Sequence, residues 1–323
     1  MYRNIPENFK RVFDLITAEV GKQMIGQQEN IHHVLIGIIC GGNILMEGAP
    51  GLGKTLLIKT FARVLNLPFA RIQFTPDLMP MDIIGTEIVR NYHEKMEIQF
   101  EKGPIFSSLI LADEINRATP KTQSALLQAM AEKTVTVGKT TYNLQEPFFV
   151  LATQNPIEME GTYNLPEAQL DRFMFKVEIK LPKQKELSDI VDITVGEKTE
   201  VDLEAVVTKE EIMEMKKIVY SVPVCDEVKD RAIQIILNTH PEETKIPEVK
   251  DYVRWGSSPR GLQALILGAK AKALTEGRYH VALQDLYTIA PVALNHRVKL
   301  NFKSISDKVD GQTIISTILK QVI

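Results

Sequence analysis

The sequence predicts an α/β domain, with a parallel sheet covered by helices on both faces, followed by a smaller all-helical domain. Three observations carry this expectation. Short continuous apolar runs alternate with stretches of helical periodicity through the first half of the chain, the pattern of strands buried on both sides and joined by crossover helices. A glycine-rich turn, "GAPGLGKT" from Gly48 to Thr55, sits where one such run hands over to a helix. After Leu181-Pro182 the apolar runs stop and helical periodicity continues alone. A chain of 323 residues is long for one hydrophobic core, so two domains are the natural division.

Taken in order, Ile5 to Cys40 reads as helix, with Ile31, Val34, Leu35, Ile38 and Ile39 recurring at three and four. Ile44–Met46 is a first strand and leads through the glycine-rich turn into a helix from Thr55 to about Leu65. Phe69–Phe74, Leu109–Ala112 and Phe148–Thr153 are the next strands, and Phe173–Ile179 is a candidate fifth. Two insertions interrupt the alternation. Thr86–Ile105 alternates on both sides of a polar tip and reads as a hairpin. Thr134–Leu144 does the same around Gly138-Lys139, which suits a type II′ turn. The charged segment 183–204 reads as a linker that begins with a helix, between a core spanning 1–182 and a lid spanning 205–323. In the lid, Leu262, Leu265, Ile266, Ala269 and Ala273 form one face of a helix that Pro259 opens and Gly277 stops.

Composition narrows the class. Hydrophobic residues make up 44% and charged residues 24%, the balance of a globular protein. A formal charge of −3 argues against a dedicated nucleic-acid binder. Cys40 and Cys225 fit no metal spacing and read as buried or half-buried free thiols in a reducing compartment. The N-terminus "MYRNIPENFKRVF" lacks the apolar core of a signal peptide, and the longest apolar stretch, Val34 to Cys40, is too short to cross a bilayer. The expected compartment is the cytoplasm.

Glycine loses more backbone freedom on folding than other residues, so the turn after the first strand needs a ligand to offset the cost of ordering it. Gly48, Gly53, Lys54 and Thr55 match G-x-x-x-x-G-K-[ST] at every fixed position, between a strand and a helix as the motif requires. The loop Gly48, Ala49, Pro50, Gly51, Leu52, Gly53, Lys54, Thr55 and Leu56 is expected to hold phosphate oxygens on backbone N–H groups and on the positive end of the following helix. Lys54 would reach the β- and γ-phosphates, and the Thr55 hydroxyl would take a Mg²⁺ position. "SLILADE" places Asp113 and Glu114 at the carboxyl end of a strand, where open α/β sheets bind ligands. Asp113 would hold the metal and Glu114 would orient or deprotonate a water. An acidic pair after a strand also serves as a helix cap, and Glu114 can do both. No Asn-Lys-x-Asp string is present, so adenine is preferred to guanine, and Ile25-Gly26-Gln27 is placed to line a base pocket.

With these motifs in hand the chain resembles a MoxR-type AAA+ ATPase. The matching stretches are "EGAPGLGKT" (Glu47–Thr55), "LADEINRATPKTQSALLQAMAE" (Leu111–Glu132) and "ATQNPIEMEGTYNLPEAQLDRF" (Ala152–Phe173), with thinner similarity at "GSSPRG" (Gly256–Gly261) and "APVALNHRV" (Ala290–Val298). The resemblance implies an AAA+ core, a helical lid and hydrolysis of ATP with Mg²⁺. It implies that Asn155 is the sensor 1 residue polarising the attacking water. Arg172 matches the arginine finger inserted into a neighbouring subunit's site. Arg260 matches sensor 2, at the start of a lid helix where it can contact the γ-phosphate, and Arg117 is a second candidate for an intersubunit role. The two insertions correspond to a helix 2 insert and a pre-sensor 1 hairpin. The resemblance further implies a ring, expected to be a hexamer, that remodels, activates or inserts metal cofactors into partner proteins. A protein with a von Willebrand factor A domain is the leading partner; no nucleic acid or transmembrane segment is expected. A magnesium chelatase-like motor subunit, a nucleic-acid motor and an ATP-controlled assembly scaffold are the alternatives.

Other conspicuous residues read as packing. Adjacent helical positions face different ways, which disfavours a metal shared by His32 and His33. His296 is expected to pack or cap within the lid. Met24, Met46, Met79, Met81 and Met96 read as core and loop filler.

Overall fold

The structure, a computed structural model, describes residues 4–92, 95–155, 162–195 and 201–322. Two helices open the chain, α1 (Ile5–Gly21) and α2 (Gln28–Cys40), followed by β1 (Ile44–Glu47), α3 (Lys54–Val64), β2 (Phe69–Gln73) and α4 (Pro80–Ile84). Next come the hairpin β3 (Gly85–Tyr92) and β4 (Lys95–Lys102), then β5 (Leu109–Asp113), α5 (Pro120–Glu132) and the hairpin β6 (Thr134–Val137) and β7 (Thr140–Asn143). β8 (Phe149–Gln154), α6 (Glu167–Leu170) and β9 (Phe175–Glu178) complete the sheet region. The remainder comprises α7 (Gln184–Val195), α8 (Lys209–Ser221), α9 (Asp226–Leu237), α10 (Pro247–Tyr252), β10 (Val253–Trp255), α11 (Pro259–Thr275), α12 (Leu283–Leu294), β11 (Lys299–Leu300), α13 (Phe302–Ser306) and α14 (Gly311–Val322).

The main sheet runs β2-β5-β8-β1-β9, and every pairing in it is parallel. Its strands alternate between two cores, as the period of two along a strand requires. Ile44, Met46, Leu109, Leu111, Phe149 and Leu151 enter one cluster, while Leu45, Ile110, Ala112, Val150 and Ala152 enter the other. The first cluster is shared with α1, α2, α3 and the C-terminal helices, so the lid is welded to the N-terminal helices through one continuous apolar body.

All five expected strands form, and both insertions are antiparallel hairpins. Residues 93–94, at the tip of the first, lie outside the described residues. Gly138 takes φ +58° at the first central position of the second, as a II′ turn requires. The hairpins are packed together by Phe100 stacked on Tyr142 at 4.6 Å. After α7 the chain runs extended across the core: Val206 N–H donates to Val64 O at 3.0 Å, and Glu204 N–H to Glu19 Oε1 at 2.9 Å. The lid also holds a short ribbon, β10 with β11, that helical periodicity does not announce.

α11 begins and ends as its punctuation predicts. Ser258 caps it by accepting from Arg260 N–H. At its end Gly277 is left-handed at φ +74°, with Arg278 N–H bonded to Ala273 O and Gly277 N–H to Leu274 O; this is the Schellman arrangement. Two packing expectations need correction and one holds. Met24 and Met46 are core residues, but Met79, Met81 and Met96 are exposed. Cys40 is buried, whereas Cys225 is exposed because it precedes a surface helix. His32 and His33 do diverge, the first onto Phe13 and the second onto Phe175. No helix among the described residues is long and apolar enough to cross a membrane.

Candidate nucleotide site

The loop between β1 and α3 turns on Gly51 and Gly53, at φ +83° and +84°, backbone that residues with a Cβ rarely adopt. Gly48 is needed for a different reason: a Cβ there would stand 2.9 Å from the carbonyl oxygen of Ile179, just beyond β9. Lys54 folds back over the loop and donates to Gly48 O at 2.6 Å. Partial burial lowers its pKa, opposed by the nearby charges of Asp113, Glu114 and Glu47. The loop opens on a cavity of about 420 Å³ lined by Pro50, Gly51, Gly53, Lys54, Thr55, Leu56, Arg71, Asp113, Glu114 and Asn155. The structure therefore brings the phosphate loop, the acidic pair and Asn155 together. Leu52 packs instead against the core.

Asp113 is 8% exposed, and both of its oxygens are engaged. Oδ1 accepts from Thr153 Oγ1 at 2.7 Å; Oδ2 accepts from Arg71 Nε at 3.1 Å and Nη2 at 2.7 Å. Glu114 turns away because its backbone is left-handed, φ +57° and ψ +50°. This conformation is costly for a residue with a Cβ and is often found at functional sites. Its N–H donates to Thr153 Oγ1 at 2.9 Å. Its Oε2 accepts from Gln73 Nε2 at 3.0 Å and from Arg117 Nη1 at 2.8 Å. Thr153, Arg71 and Gln73 were not singled out from the sequence. The clue lies in strand order, since β2 and β8 flank β5 and set Gln73 opposite Asp113. Arg117, the second candidate for an intersubunit role, is ion-paired with Glu114 of its own chain.

Gly26 and Gln27 line a separate cavity of about 410 Å³ with Asn30, His33, Lys176, Leu181 and Glu186, while Ile25 does not line it. Gly26 is left-handed at φ +71°, and the Glu186 carboxyl on α7 closes over it. Met24 lies under the phosphate loop, its Cε 3.4 Å from the place a Cβ would take on Gly53. This segment therefore connects the loop with that cavity.

Arg172 and Arg260 lie elsewhere. They share a cavity of about 560 Å³ with Gly41, Gly42, Asn43, Asp171, Met174, Lys270 and Arg297. Asn43 and Met174 immediately precede β1 and β9, so this cavity is at the amino ends of strands whose carboxyl ends face the phosphate loop. The four residues of β1 separate the two by about 13 Å at ~3.3 Å per residue. The expectation that Arg260 reaches the γ-phosphate is thus corrected for its own subunit. α11 packs on α1, α2 and α12, which carries its N-terminus to the opposite rim of the sheet. Arg172 Nη1 donates to Leu127 O at 2.7 Å.

Asp113 and Thr55 line the same cavity and carry oxygen donors of the kind hard divalent cations prefer. Lys54 and Arg71 supply positive charge beside it, so the residues suit a metal–triphosphate.

The chain is similar to known proteins over most of its length. Residues 43–175 match the family described as "ATPase family associated with various cellular activities (AAA)", and residues 248–318 match the AAA lid domain. The chain is 39% identical over 305 residues to "Chaperone MoxR1" of Mycobacterium tuberculosis, spanning 94% of this chain and 80% of that protein. It is 29% identical over 307 residues to "Protein MoxR" of Methylorubrum extorquens, spanning 87% and 86%. A crystal structure of a candidate ATPase from Cytophaga hutchinsonii superposes with a TM-score of 0.92 at 40% identity, covering 99% of this chain and 97% of the other.

Proposed function

This chain belongs to the MoxR-type AAA+ ATPases, and from that premise we propose that it hydrolyses ATP to ADP and phosphate in a ring, using the energy to remodel another protein. The observation that carries the reading is the split of the machinery: loop and carboxylates at one rim of the sheet, Arg172 and Arg260 at the other. A single subunit cannot complete such a site, but a head-to-tail neighbour can.

Backbone N–H groups of Gly51 and Gly53 and the start of α3 hold the phosphates, with Lys54 moving from Gly48 O onto the β- and γ-oxygens. Thr55 and Asp113 would hold Mg²⁺, which would supply positive charge to the phosphates. Glu114 and Asn155 set the attacking water in line with the γ-phosphate, with Glu114 as the base. Arg172 and Arg260 arrive from the adjacent subunit and neutralise charge spreading onto the transferred phosphoryl group. Gly26 and Gln27 contribute to the adenine pocket. Residues 1–182 act as the nucleotide-binding core, 183–204 as the connection and 205–323 as the lid. A hexamer is the expected ring, and a partner bearing a von Willebrand factor A domain is the leading client.

Phosphate release tests this reading. Activity should rise with protein concentration as rings form, and Glu114→Gln should retain nucleotide while losing turnover by about 10²–10⁴-fold. Turnover at the parent rate by Glu114→Gln, or no binding of ATP with Mg²⁺ at concentrations that favour association, refutes it.

A further inference from the structure

We infer that Asp171, Arg297 and Ser258 form a clamp that positions Arg172 and Arg260 as one unit for the neighbouring subunit's nucleotide; the inference rests on the in-trans reading above. Arg297 Nη2 donates to Asp171 O at 3.0 Å and to Phe173 O at 2.7 Å, the carbonyls on either side of Arg172. Its Nη1 reaches Met174 O at 3.1 Å and also Ala293 O, and its Nε donates to Asp171 Oδ1 at 2.9 Å. The backbone that carries Arg172 is thus held from both sides by one guanidinium. Asp171 in turn accepts from Ser258 Oγ, 2.8 Å from both carboxylate oxygens, while that same hydroxyl accepts from Arg260 N–H at 3.1 Å. One carboxylate therefore joins the residue next to Arg172 to the cap that starts the helix of Arg260.

Stability alone does not call for such a group. The Arg297 side chain is 3% exposed, and burying an ion pair is often no better for stability than burying an apolar pair of the same shape. What a planar, five-donor fork supplies is fixed direction. His296 fits the same purpose: burial and the adjacent Arg297 charge push its pKa well down, so a neutral ring packs beside the guanidinium. Arg260 makes no hydrogen bond or ion pair through its guanidinium among the described residues, so the clamp fixes its base and leaves its tip available to an anion.

Subunit mixing tests the clamp. Asp171→Asn, Arg297→Met and the milder Ser258→Ala should each bind a fluorescent adenine nucleotide within about twofold of the parent, because the phosphate loop is remote. Alone, Asp171→Asn and Arg297→Met should lose ATPase activity by about tenfold or more. Mixed one to one with Lys54→Ala subunits, whose clamp is intact, they should recover to about a quarter of parental activity under random assortment of independently acting sites. Arg172→Ala mixed with Lys54→Ala is the control. If the control recovers and the clamp variants do not, or if the clamp variants alone are as active as the parent, the clamp is refuted while the in-trans reading stands. If the control fails, the in-trans reading falls and the clamp with it. Should Arg297→Met not fold, Asp171→Asn and Ser258→Ala decide.

Discussion

Arg297 and Asp171, 126 positions apart in sequence, meet with Nε 2.9 Å from Oδ1 across the seam between the lid and the start of β9. The guanidinium reaches that position because the first turn of α11 carries a glycine. A Cβ on Gly261 would collide with Ser257 Oγ and stand 2.9 Å from Arg297 Cδ. Gly261→Ala should therefore cost about 1–3 kcal/mol of lid stability and lower ATPase activity with little change in nucleotide affinity. Adding Ser257→Ala removes one of the two collisions and should restore part of the loss, as read by thermal unfolding. A Gly261→Ala protein as stable and active as the parent would show that the stem of Arg297 has room to spare.

Thr153 serves two masters through one hydroxyl. It donates to Asp113 Oδ1 and accepts from the strained Glu114 N–H, and it is fully buried. Thr153→Val keeps the shape and removes both bonds, leaving a buried donor and a buried carboxylate oxygen without their partner. The expected cost is about 1–3 kcal/mol in stability. The Mg²⁺ concentration for half-maximal ATPase should rise by about tenfold, as for other groups that orient metal ligands. An unchanged magnesium titration would mean that Asp113 needs no such support.

Arg117 should behave differently from Arg172. Because Arg117 Nη1 sits 2.8 Å from Glu114 Oε2 of the same chain, its loss damages the site of its own subunit. Arg117→Ala mixed with Lys54→Ala should then remain inactive, since no ring position pairs an intact loop with an intact Glu114 environment. Arg172→Ala in the same mixture should recover. Recovery by both would return Arg117 to an intersubunit role.

What could be read from the sequence was mostly what is close in the chain. The phosphate loop is a run of adjacent residues with a fixed spacing, and Asp113-Glu114 follows its strand directly. The alternation of Ile44, Leu45 and Met46 between two cores required only the period of a buried strand. Arg71, Gln73 and Thr153 escaped notice because β2 and β8 become neighbours of β5 only through crossovers. The motif of Arg260 fixes a helix start but not the direction in which that helix packs, so its place beside Arg172, away from its own phosphate loop, was not legible. Exposed Met79, Met81 and Met96 were indistinguishable from core methionines, because a flexible thioether suits either place.

His33 supplies a pH dependence whose sign can be worked out. It lies 5% exposed against Phe175, its Nδ1 has no hydrogen-bond partner among the described residues, and burial pushes its pKa down to about 4, with His32 and Lys272 acting in the same direction. In the unfolded chain the group titrates near its ordinary value of about 6.5. Above that pH neither state carries the proton, and the full stability is present. Between about 6.5 and 4 the unfolded chain takes up a proton that the folded one refuses, so stability falls as the pH falls. At pH ~5 the loss from this one group should be about 2 kcal/mol. His33→Leu removes it, so chemical unfolding at pH ~7 and ~5 should show a smaller decline in the variant by that amount. Equal declines in parent and variant would place the acid sensitivity in other groups.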